Sequence, residues 1–111
     1  MIIWMRIAFL ISSRRLIDAV GSIVKKCLDN NELFIITSKE LIKNLTKVLD
    51  KNIIDKINII VLKFRTEENA LRLFSQISPD IVIDCDPIDY FKELKRIIKF
   101  SHAIVRKCVI E

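Results

Sequence analysis

Apolar residues follow two alternating rhythms along this chain of 111 residues. Short unbroken runs of branched side chains give way, after one or two hydroxyl or acidic residues, to stretches in which apolar positions recur every three or four residues. The first run, Ile2 to Ile11, shows no polar alternation, the pattern of a central strand covered on both faces. Ten residues long, interrupted by Arg6 and with no basic segment before it, it falls short of the ~20 residues that span a bilayer and does not read as a signal peptide. Ser12 and Ser13 then offer helix-capping hydroxyls. Leu16, Ile17, Val20, Ile23, Val24, Cys27 and Leu28 follow at helical spacing, with Gly21 placed to let the helix press close to a strand. Asp29-Asn30-Asn31 stops this helix.

The same grammar repeats. Leu33 to Ile36 predicts a second strand, and Thr37-Ser38-Lys39-Glu40 reads as a capping box. The helix that follows buries Leu41, Ile42, Leu45, Val48 and Leu49 and turns out Lys39, Lys43, Lys47 and Lys51, a stripe expected to be solvated. Ile57 to Phe64 predicts the third strand. Thr66 caps a helix with Glu67 and Glu68 at its positive end and Ala70, Leu71, Phe74 and Ile77 on its buried side. Pro79 leads into a fourth strand, Ile81 to Ile83. Asp86 and Pro87 should start a fourth helix that buries Ile88, Phe91, Leu94, Ile97 and Ile98 and exposes Lys92, Lys95, Arg96 and Lys99. Ala103 to Ile110, alternating with Arg106 and Lys107, suits a charged edge strand.

Five strands alternating with four helices through short connections predict an α/β chain: a three-layer Rossmann-like or flavodoxin-like domain over residues 1–111, with a mostly parallel sheet and right-handed crossovers. The strand order is expected to be 2-1-3-4-5 or 3-2-1-4-5. A hydrophobic content of 51% with 30% charged residues fits one globular domain, and one glycine and two prolines leave little material for long loops. Isoleucine makes up about a fifth of the chain, a bias shared by thermophilic sources and AT-rich genomes.

The net charge of +5 draws polyanions through the summed field, so nucleic acid is a partner class to be considered. Cys27, Cys85 and Cys108 are odd in number and widely spaced, which argues against a disulfide framework or a zinc set and for reduced cytoplasmic thiols. A single glycine removes the glycine-rich dinucleotide and Walker-type loops. His102, the sole histidine, starts the fifth strand and so lies at the end opposite the expected site, which leaves no basis for a Ser-His-Asp triad. Aromatic residues fall mostly on buried stripes, Trp4 among them, so no base-stacking platform is expected.

Ligands of open parallel sheets bind outside the carboxyl ends of the strands, where strand order reverses. That rule selects Ser12, Ser13, Arg14 and Arg15 after the first strand, Thr37 and Ser38 after the second, and Lys63, Arg65 and Thr66 after the third. Asp84 and Asp86 follow the fourth. Capping accounts for every hydroxyl in this set but not for the paired arginines. The leading expectation is a non-enzymatic binding or regulatory module, a homodimer or part of a larger assembly, holding a nucleotide or other phosphate at Ser12 to Arg15. The alternative is a nuclease or phosphotransferase in which Asp84 and Asp86 hold Mg²⁺, since two carboxylates one residue apart can converge on a hard cation. Asp84-Cys85-Asp86 resembles the Asp-x-Asp of Toprim domains, found in primases and topoisomerases, and Pro79 to Asp84 resembles a response-regulator strand. The first resemblance implies a glutamate after the first strand, where this chain has Ser12-Ser13. The second implies an acidic pair after the first strand, so neither carries a role over to these residues.

Overall fold

A computed structural model describes residues 5–63 and 65–108, and the elements follow the two rhythms. Strands β1 (Met5–Ile11), β2 (Asn31–Thr37), β3 (Asn58–Val61), β4 (Ile81–Cys85) and β5 (Ile104–Lys107) alternate with helices α1 (Ile17–Cys27), α2 (Ile42–Val48), α3 (Lys51–Ile54), α4 (Glu67–Ile77) and α5 (Lys92–Lys99). Single 3-10 turns, Arg14–Leu16 and Lys39–Leu41, introduce α1 and α2. The sheet order is β3-β2-β1-β4-β5 and every pairing is parallel, which selects the second of the two expected orders. Ile2, Ile3, Trp4, Phe64, Val109 and Ile110, which the sequence reading placed in strands, lie outside the described residues.

Successive side chains of β1 point to opposite faces and build two cores. Ile7, Phe9 and Ile11 join the buried faces of α1, α2 and α3. Ala8 and Leu10 join those of α4 and α5. Both faces of the central strand are therefore covered, which is why its sequence shows no polar alternation. Arg6, the interruption, sits at the exposed start of β1. There its guanidinium donates to the Ile77 carbonyl at 2.9 Å and to Glu32 at 3.2 Å.

Several local expectations are corrected. Gly21 presses not on a strand but on α2, where an added Cβ would lie 2.8 Å from Val48 Cγ1. Thr37 is not a cap: it ends β2, fully buried, and its hydroxyl donates to the Ile11 carbonyl at 3.0 Å. Ser38 takes the capping position without a capping hydrogen bond. The helix expected through Lys51 breaks after Val48, because Asp50 accepts from the Ile53 N–H at 3.0 Å and starts α3. This break accounts for five helices rather than four. In α4 the buried stripe is Ala70, Leu73 and Ile77, with Leu71 half exposed. The last helix begins at Lys92 instead of Pro87, so Ile88 lies in a turn and is exposed rather than buried.

Candidate functional site

Because all strands are parallel, their carboxyl ends share one rim, and strand order reverses between β1 and β4. The loops leaving these two strands are tied together. Ser12 N–H donates to the Cys85 carbonyl at 3.4 Å, and Ser12 Oγ donates to Asp86 Oδ1. Asp86 is 2% exposed, and its two carboxylate oxygens accept from Tyr90 N–H at 2.9 Å and Phe91 N–H at 2.8 Å. It was expected to cap the last helix. It closes the turn ahead of that helix instead, leaving α5 to start a turn and a half further on.

Asp84, also buried, accepts from Asp86 N–H at 3.0 Å and from Lys107 Nζ at 2.9 Å. The two carboxylates converge, as a cation site requires, and the cation between them is Lys95. Its ammonium donates to the Asp86 carbonyl at 2.6 Å and to Asp89 Oδ1 at 2.8 Å, and lies 3.3 Å from Asp84 and 3.4 Å from Asp86. Lys95 was expected to point outward. Its long side chain is instead mostly buried, lines a pocket with Ile98 and Val105, and carries the charge to the rim. Among the described residues, no group of three or more His, Cys, Asp or Glu side chains is placed to hold a metal ion.

The charges of this cluster support one another. Burial disfavours the Asp86 carboxylate, but the Ser12 hydroxyl, the Phe91 and Tyr90 N–H groups and Lys95 outweigh it and hold the carboxyl below its ordinary range. Burial likewise disfavours the Lys95 ammonium, and Asp89, Asp84 and Asp86 outweigh it, raising that group above its ordinary value. Next to them, burial foremost and the neighbouring Cys108 thiol push Cys85 well up, which keeps it protonated and a poor nucleophile.

A second region of the rim is cationic and open. The Arg65 guanidinium lies 3.8 Å above the centre of the Tyr90 ring and donates through Nη1 to the Tyr90 carbonyl at 3.1 Å. One planar group is thereby held in place over the ring. Thr66 Oγ1 accepts from the Asn69 N–H at 3.2 Å, the cap expected for α4. Lys63, Arg65 and Thr66 face Asp89, Lys92 and Glu93 across a cleft of about 450 Å³. The Asp89 carboxylate at its edge is turned to Lys95.

The rim thus brings together only part of the expected set. Arg65 and Thr66 share the cleft, and Ser12 joins Asp84 and Asp86. Arg14 lies elsewhere, in a groove of about 200 Å³ with Asp18, Asn44 and Lys47, and Arg15 is exposed. Ser13 starts a 3-10 turn without a capping bond. Thr37 and Ser38 are buried. Lys92 and Lys95 were missed as site residues because both lie on a helix whose lysines read as a solvated face.

No family model matches this chain, and no curated protein does. Among solved structures, the C-terminal domain of a hydrogenase from Pyrococcus furiosus is similar over 92% of this chain and 89% of its own, with 13% identity and a TM-score of 0.57. A universal stress protein solved in complex with cAMP is similar over 93% of this chain and 96% of its own, with 12% identity and a TM-score of 0.49. At 13% identity the hydrogenase domain speaks for the fold alone: a parallel five-stranded α/β sheet of Rossmann-like kind.

Proposed function

We propose that this chain is a non-enzymatic α/β binding module that holds a nucleotide or another phosphate-bearing ligand at the carboxyl rim of its sheet. The observation that carries this reading is the cleft between the loops after β3 and β4, where Lys63, Arg65 and Lys92 line one open volume and outnumber its two acids, Asp89, which is paired with Lys95, and Glu93. Arg65 is the principal anion contact, because stacking on Tyr90 and the bond to its carbonyl orient the guanidinium before any ligand arrives. Arg14 and Arg15 add to the field over the rim and attract the ligand without holding it. The Ser12–Asp86–Lys95 cluster adjoins the cleft through Asp89, which lines it and pairs with Lys95. Its polar groups satisfy one another, which suits a supporting part better than a reacting one.

Isothermal titration with ATP, AMP and inorganic phosphate tests this assignment. Binding with a Kd below about 1 mM is expected for at least one of them. Arg65→Ala should weaken it about tenfold or more, the usual effect of losing a charged hydrogen bond. The Arg14→Ala/Arg15→Ala double variant should weaken it only about twofold, and less in high salt. No heat at millimolar ligand, or a loss that follows the Arg14/Arg15 pair and spares Arg65→Ala, would sink the reading.

A further inference from the structure

Away from the rim, α4 and α5 lie side by side over one face of the sheet and leave a groove of about 780 Å³ between them. Leu71, Phe74 and Ile97 form its floor, and Phe100 stands at its border 83% exposed, the most exposed large apolar residue described. Such a ring beside an apolar depression is both a projection and the hollow that would receive one. The border also carries Glu67 on α4 and Arg96 on α5. Neither has an ion-pair partner among the described residues, whereas Arg72 and Lys95, on the same two helices, do.

We propose that this groove is the interface at which a second copy of the chain docks by twofold symmetry. A twofold interface requires one patch to complement itself, residue i meeting j and j meeting i. This patch meets that condition twice, with Phe100 against the partner's groove and Glu67 against the partner's Arg96. Charge points to the same occupant. A chain of net charge +5 repels its own copy over most of its surface, and here one acid and one base offset each other around an apolar centre. The proposal is independent of any ligand at the rim.

Sedimentation velocity from about 1 µM to about 1 mM protein tests it, the span over which such associations are resolved. The wild-type chain is expected to dimerise within that range. Phe100→Asp, whose exposed position spares the core, should raise the dimer Kd at least about thirtyfold, as expected for loss of a central aromatic anchor. Glu67→Arg and Arg96→Glu should each weaken association about tenfold, and the two combined in one chain should restore it to within about threefold of wild type. Circular dichroism checks that each variant is folded. A monomer throughout, a dimer unmoved by Phe100→Asp, or a charge swap that fails to restore association would each overturn the assignment.

Discussion

Ser12 Oγ donates to Asp86 across the boundary between β1 and β4 and so ties the two loops that flank the reversal of strand order. The bond belongs to a set in which one carboxylate serves a hydroxyl, two backbone N–H groups and an ammonium. Asp86→Ala should therefore cost about 3 kcal/mol, because it leaves two N–H groups and the Ser12 hydroxyl without their acceptor and takes from Lys95 one of its three carboxylates. Ser12→Ala should cost only about 1 kcal/mol, the net value of one hydrogen bond. Urea midpoints of the two variants measure the difference. Equal losses would mean that the hydroxyl, not the carboxylate, organises the turn.

The same cluster sets a pH window. Asp86 is held below its ordinary range when folded, so its contribution to stability is present above the unfolded pKa of about 3.9 and fades as pH falls through the lower folded value. Lys95 is raised when folded, so its contribution is complete below the unfolded pKa of about 10.4 and fades as pH rises through the higher folded value. Urea midpoints between about pH 2 and pH 11 should show a plateau bounded by both limbs. Asp86→Asn should flatten the acid limb and Lys95→Met the alkaline one.

Gly21 is a packing glycine, and its replacement sets two effects against each other. Alanine in a helix interior gains about 1 kcal/mol over glycine, while its Cβ would press to within 2.8 Å of a branched side chain, Val48. Overpacking of this kind costs about 1–3 kcal/mol. Gly21→Ala should therefore be destabilising by about 1 kcal/mol net, and Val48→Ala in the same chain should remove the clash so that the two losses do not add. Thermal unfolding of the single and double variants decides whether the close approach of α1 and α2 is the constraint.

The alternation of elements was legible because branched runs and helical stripes differ in period, and the shared rim followed from parallel crossovers. Individual side chains were less legible. Leu71 and Leu73 are equally apolar, yet only Leu73 keeps the three-and-four spacing with Ala70 and Ile77 that faces the core. Lys95 has the same charge as Lys92 and Lys99, yet its ammonium is the one brought to Asp84 and Asp86. Thr37 matched a capping pattern, but β2 runs one residue past Ile36 and takes the hydroxyl into the sheet. The cleft at Arg65 depends on Tyr90, which comes to it through a turn fixed by Asp86 and invisible to periodicity.

The strand nearest the amino terminus lies in the middle of the sheet, between β2 and β4. During synthesis β1, β2 and β3 can zip together, with α1, α2 and α3 roofing one side, before β4 exists. Until then Ala8, Leu10, Phe34 and Ile36 look out from the unroofed side, and the β1 border stays unpaired. Such a nascent half-sheet is a template for wrong partners. Slowing the ribosome between β3 and β4 should therefore be harsher on the yield of native chain than slowing it anywhere after β4.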